Sequence, residues 1–316
     1  ELDYPAKTQG SVIEEMVRAK LVEAGIPADV KISQNIIAHE VQRGVKVFDS
    51  VRNIIAVSSG KGGVGKSTVS ANLALALQQE GAKVGLLDAD VYGPSQPTML
   101  GITDKPYSVD GKTLEPMVAH GLQVASVGVL IDPDQPMIWR GPLAVSALQQ
   151  LLKQTNWKDL DYLIVDMPPG TGDIQLSLSQ EVPLTGAVVV TTPQDIALMD
   201  ARKGLVMFEK VNVPILGIIE NMATHICSKC GHEEHIFGEG GAAKMAAQYG
   251  VELLGELPLD INIRLSMDKG EPIVISDPDS KVAQAYREIA RKLAVAVSKK
   301  NKDYSAKMPS IKVSDT

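Results

Sequence analysis

The run Gly60-Lys61-Gly62-Gly63-Val64-Gly65-Lys66-Ser67 satisfies the spacing G-x-x-x-x-G-K-[ST]. Glycines at 60, 62, 63 and 65 let the backbone curl with its N–H groups inward, and a helix starting near Ser67 adds the positive end of its dipole. Such a cradle, Val64 included, accepts a triphosphate. Lys66 would reach the β- and γ-phosphates, Ser67 would offer its hydroxyl to Mg²⁺, and Thr68 would donate to the α-phosphate. A glycine-rich turn matching by accident is the competing reading. The strand-like IIAVS before the run and the helical pattern after it argue against that.

Two acidic strand ends extend the same site. Asp166 closes the apolar run of YLIVDMPPGTGD, where a P-loop protein places the carboxylate that holds Mg²⁺. Asp88 and Asp90 follow another apolar run in GLLDADVYGPS, at the sheet edge where ligands bind. Asp90 is the candidate for orienting or deprotonating the attacking water; its bland alternative is a loop-capping carboxylate.

Cys227 and Cys230 are the only cysteines. Thiolates at this spacing hold one edge of a metal, whereas an iron–sulfur cluster or tetrahedral zinc generally takes four ligands. One chain supplies half of such a site, and a two-fold dimer would supply the rest. Zinc held with His232 or His235, zinc held by four cysteines across a dimer, and a redox dithiol remain open alternatives. By default both histidines are solvated loop residues.

The elements that must position these groups alternate. Strand-like runs at Ile54–Ser58, Val84–Asp88, Leu122–Val127, Tyr162–Asp166, Ala187–Thr191, Ile215–Ile219 and Leu253–Leu257 are separated by helical stretches such as Thr68–Gln79 and Met199–Glu209. The two-sided apolar character of IIAVS, YLIVD and AVVVT indicates central parallel strands. The expected fold is α/β, a doubly wound and mostly parallel sheet. Ahead of it, Ser11 and Glu14 fit a capping box for a helix ending at Gly25 and Pro27, and Asp29–Ser33 reads as a short strand. Residues 1–45 therefore look like the remnant of a small α/β N-terminal domain, with a polar linker from His39 to Ser50. Residues 281–297 read as a terminal amphipathic helix, and 299–316 as a polar C-terminal tail expected to be disordered.

Composition bounds the function. With 316 residues and 44% hydrophobic content the chain can bury a large core, and 4% aromatics disfavours a base-stacking surface. A net charge of -7 opposes nonspecific attachment to nucleic acid or an anionic bilayer, so no nucleic-acid partner and no stable membrane association are expected. Two cysteines do not staple a secreted domain, and neither an export signal nor a membrane-spanning run is visible, so a cytoplasmic location is expected. The chain opens at Glu1 instead of Met, which suggests a processed or truncated form of something longer.

The extra lysine in KGGVGKS resembles the deviant Walker A signature of the nitrogenase iron protein, ParA and MinD class of dimeric ATPases. SSGKGGVGKSTVSANLALAL, LLDADVYGPSQPTMLG, MIWRGP, DYLIVDMPPGTGD, TTPQDIALMDARKG and the CSKCG segment are together similar to the Mrp/ApbC family of iron–sulfur cluster carriers. The resemblance covers about residues 50 to 298, the expected P-loop ATPase domain. It implies a homodimeric ATPase that hydrolyses ATP slowly, with Lys61 reaching across the dimer to the partner's nucleotide. It also implies a bridging cluster, [4Fe–4S] by family, passed to apo-proteins and exchanged with assembly scaffolds. By the same resemblance Asn221 would contact adenine, and Pro258, Leu259 and Asp260 would close over the base; an asparagine at a strand end is otherwise an ordinary turn former. The rival readings are a ParA- or MinD-like positioning ATPase and an electron-donating partner like the nitrogenase iron protein.

Overall fold

The computed structural model describes residues 1–26, 28–42, 45, 47–129, 141–227 and 229–303. The N-terminal segment carries helix α1 (Gly10–Glu23). The apolar runs then become strand β1 (Val51–Ser59), helix α2 (Lys66–Gln79), β2 (Val84–Asp88), a single turn α3 (Gln96–Met99), β3 (Met117–Ala119) and β4 (Leu122–Ser126). They continue as α4 (Gly141–Gln154), β5 (Leu160–Asp166), α5 (Asp173–Glu181), β6 (Gly186–Thr191), α6 (Asp195–Lys210) and β7 (Ile215–Glu220). A small hairpin of β8 (His225–Ile226) and β9 (Glu233–Glu234) follows. After it come α7 (Gly241–Tyr249), β10 (Leu253–Glu256), α8 (Ile261–Asp268), α9 (Ile273–Ser276) and α10 (Lys281–Ser298).

The main sheet runs β10-β7-β6-β1-β5-β2-β4-β3, parallel throughout except for the edge pair β3–β4. β1 lies between β5 and β6, in register from Val51 opposite Leu160 to Val57 opposite Asp166. The central strands are buried along both faces, as their unbroken Val, Ile and Leu runs require. One core joins α2, α9 and α10 to a sheet face through Leu73, Leu77, Tyr286 and Leu293. The other joins α4, α5, α6 and α7 through Leu148, Leu178, Phe208 and Met245. The expected doubly wound sheet is this one. Parallel order brings the carboxyl ends of β1, β2, β5, β6, β7 and β10 to one edge, and the candidate residues lie at those strand ends, in the segments that follow them or in the first turn of α2.

The N-terminal expectations need correction. α1 begins at Gly10 with Gln9 at its cap and no side-chain cap bond, so Ser11 sits inside the first turn and forms no capping box. No strand forms at Asp29–Ser33; an isolated bridge pairs Leu2 with Gln34. The supposed linker is packed down: His39 is buried with Nδ1 2.9 Å from Asn53 Oδ1, and Gln42 Nε2 donates to Ser179 O (2.7 Å). Pro27, the first four residues of MIWRGP and residues 304–316 lie outside the described residues.

Candidate functional site

Lys66 opens α2 directly after Gly65, whose φ of +82° only glycine adopts without strain. A Cβ on Gly65 would also collide with Asn221 Nδ2, which donates to Val64 O (2.9 Å) from beneath the loop. At the other end of the loop, a Cβ on Gly60 would strike the Asp200 backbone of α6. Gly62 and Gly63 face open space instead. The loop is thus clamped at both ends and open in the middle, where a polyphosphate needs room and N–H donors.

The Lys66 side chain is buried. Its Nζ lies 2.6 Å from Asp166 Oδ1, 3.2 Å from Ser67 Oγ and 3.8 Å from Asp90 Oδ2. Asp166 ends β5 fully buried. Ser70 Oγ also donates to its Oδ1 (2.9 Å), while Gln96 Nε2 donates to its Oδ2 (2.9 Å). Asp88, equally buried at the end of β2, accepts from Asp90 N, Gln96 N and Ser126 Oγ. Burial first, and the Asp166 charge second, push its carboxyl up to about 7. Asp90 Oδ1 caps the following loop by accepting from Tyr92 N and Gly93 N, so the loop-capping reading describes one of its oxygens; Oδ2 turns toward Lys66. Lys61 is half-buried, and among the described residues no ion pair involves it.

Lys66, Ser67, Asp90, Asp166 and Asn221 therefore converge from four strand ends. Ser67 and Asp166 present the hard oxygens Mg²⁺ prefers, next to an ammonium suited to phosphate. The donor set fits a Mg²⁺-nucleotide.

The thiols sit at the tip of the β8–β9 hairpin. Cys227 N donates to His232 O (2.9 Å) and Gly231 N to Cys227 O (2.8 Å), with Gly231 at φ +70° making the turn. The backbone N–H groups of Cys230 and Lys229 point at the Cys227 sulfur and hold its thiol below the ordinary value. Both thiols are free, Cys230 exposed and Cys227 half-buried. His235 turns away: its Nδ1 donates to Ala223 O (3.1 Å). Among the described residues no three His, Cys, Asp or Glu side chains gather to hold a metal.

Pro258, Leu259 and Asp260 form the loop into α8, with Asp260 capping that helix through Asn262 N (2.7 Å). They line a cavity of about 610 Å³ shared with Thr224, His225 and Ile226. Leu259 N donates to Thr224 O (2.7 Å), and His225 Nδ1 donates to Leu259 O (3.1 Å). The loop expected to close over a base is thereby bonded to the strand that leads into Cys227.

The family model for ParA-type NUBPL iron-transfer P-loop NTPases matches residues 50–294. The chain belongs to this family. It is 59% identical over 267 residues to an iron-sulfur cluster carrier protein of Escherichia coli K12, spanning 84% of this chain and 72% of that one. It is 51% identical to the iron-sulfur cluster transfer protein NUBPL of Mus musculus, over 78% and 77% of the two chains. Among solved structures, a nucleotide-binding protein from Archaeoglobus fulgidus in complex with ADP superposes with a TM-score of 0.65 and 37% identity, covering 75% of this chain and 92% of that one. The P-loop NTPase fold expected from the motifs is thus the family's fold.

Gln96, Ser70 and Ser126 escaped the sequence reading although they contact the acidic groups. Gln96 stands inside the motif LLDADVYGPSQPTMLG, but nothing in its type or spacing announces a bond to Asp166.

Proposed function

We propose that this chain is an ATP-hydrolysing carrier that holds an iron–sulfur cluster between two copies of itself and passes it to apo-proteins. The observation that carries the reading is the placement, on one sheet edge, of a clamped P-loop with paired acidic strand ends and a hairpin bearing two free thiols; in this reading the pair is half of a four-cysteine site. Membership of an iron-transfer family and the carrier names of its relatives support the same cargo. A thiolate-stabilising hairpin suits a soft metal cargo.

In this reading Lys66 neutralises phosphate charge, and Ser67 and Asp166 hold Mg²⁺, whose charge stabilises the oxygens of the transferred phosphoryl group. Asp90 Oδ2 orients the attacking water while Oδ1 keeps the loop shaped around it. Lys61 acts on the partner copy's nucleotide. Asn221 braces the P-loop and, with Pro258 to Asp260, borders the base. Closure of two copies on ATP changes the spacing of the paired Cys227 and Cys230, which links retention of the cluster to the nucleotide. The two free thiols suit a reducing compartment such as the cytoplasm. The cluster is [4Fe–4S] in this reading, by resemblance to the carrier family; four thiolates serve [2Fe–2S] equally well.

Transfer to an apo-ferredoxin tests it. Protein reconstituted anaerobically should donate its cluster at a rate that changes with ATP, and the change should vanish in Lys66→Ala; cluster movement indifferent to nucleotide would reject the coupled function.

A further inference from the structure

Gln96 opens α3 with no exposed surface, and its backbone N–H donates to Asp88 Oδ2 (3.1 Å). Its side-chain nitrogen donates to Ser67 O (2.9 Å) and to Asp166 Oδ2 (2.9 Å). Both oxygens only accept, so chemistry fixes which end of the amide faces them. A single NH₂ group thus places its two protons on the two residues that would hold Mg²⁺. The other end, Oε1, is buried with no hydrogen-bond partner among the described residues. An apolar side chain of the same size would fill that space without stranding an acceptor, so packing alone does not account for a glutamine here.

The two metal-holding residues come from different elements, the first turn of α2 and the end of β5. Ser70 also ties α2 to Asp166, but through Oδ1 and without touching Ser67. Lys66 contacts both residues, yet its ammonium is the group that phosphates would draw. Mg²⁺ demands near-octahedral geometry at about 2.0–2.1 Å and tolerates little play between its ligands. We propose that Gln96 is a positioning residue for Mg²⁺: it fixes the Ser67 turn against the Asp166 carboxylate and locks both to the Asp88 strand end. The proposal rests on the Mg²⁺-nucleotide reading above.

The test titrates a fluorescent ADP analogue into the full chain, first in EDTA and then at increasing Mg²⁺. In Gln96→Met the Mg²⁺ concentration needed to strengthen binding should rise roughly 10–100-fold, as for other residues that orient metal ligands, while affinity in EDTA stays close to wild type. Gln96→Glu sets a second carboxylate against Asp166 and should raise that concentration too. A Mg²⁺ requirement unchanged in both variants overturns the proposal. So does loss of binding in EDTA by both, which makes the residue structural. A wild-type protein whose nucleotide affinity ignores Mg²⁺ removes the underlying reading, and is recognised without any substitution.

Discussion

Lys66 and Asp166 form an ion pair that water barely reaches, so removing either partner strands a charge. Lys66→Ala should cost about 3–5 kcal/mol of stability as well as nucleotide binding, read by urea unfolding beside a nucleotide titration. Unchanged unfolding would mean that the pair is not held in solution. Asp88 gives a pH-dependent prediction. Its folded pKa of about 7 lies above the ordinary carboxyl value of 3.8, so the folded chain binds the extra proton. Its contribution is therefore greatest below about pH 4 and is lost as pH rises toward about 7. Asp88→Asn should flatten the fall in stability across that window; an equal slope in both proteins would contradict the assignment. The meeting of Lys66, Ser67 and Asp166 was legible because a lysine and hydroxyl after four glycines, and an acid after an apolar run, have few other reasons to stand there. Asn221 and Gln96 were less so. Amide side chains acquire roles from whatever folding sets beside them, and Val64 and Asp166 are remote from them in sequence.

At the scale of elements, the P-loop owes its shape to what braces it. Gly65→Ala must strain a φ of +82° and push Asn221 aside, so nucleotide affinity should fall by the equivalent of about 1–3 kcal/mol. Adding Asn221→Ala should recover part of that loss but not the backbone strain. A double variant no better than the single would remove the bracing role. The cysteine hairpin makes its own prediction: with N–H groups aimed at one sulfur, Cys227 should be alkylated by iodoacetamide at lower pH than a free thiol, as measured in Cys230→Ser. Apolar runs marked the strands well because burial on both faces leaves no polar alternation. The N-terminal segment was misread since its helix buries no residue, so no tertiary face sharpened its sequence pattern or fixed its cap.

For the whole molecule, the sheet gathers the P-loop and the thiol hairpin on one edge. Lys61 is half-buried within the P-loop without an ion pair among the described residues, and the thiols number two. If a second copy completes both, Lys61→Ala should slow ATP turnover while leaving nucleotide affinity nearly intact, and turnover per chain should rise with protein concentration. Unchanged turnover would remove the cross-dimer lysine. At this level the parallel sheet and its crowded edge were legible in the repeating apolar runs, whereas the bond from Leu259 to the strand leading into Cys227 emerges only from the fold. The most direct measurement is anaerobic iron and sulfide content, with native mass, on wild type and on Cys227→Ala/Cys230→Ala. Roughly one cluster for every two chains in a dimer, lost in the double variant, is the expected result. A full cluster retained without the cysteines, or one held by a single chain, would contradict a site shared between two copies.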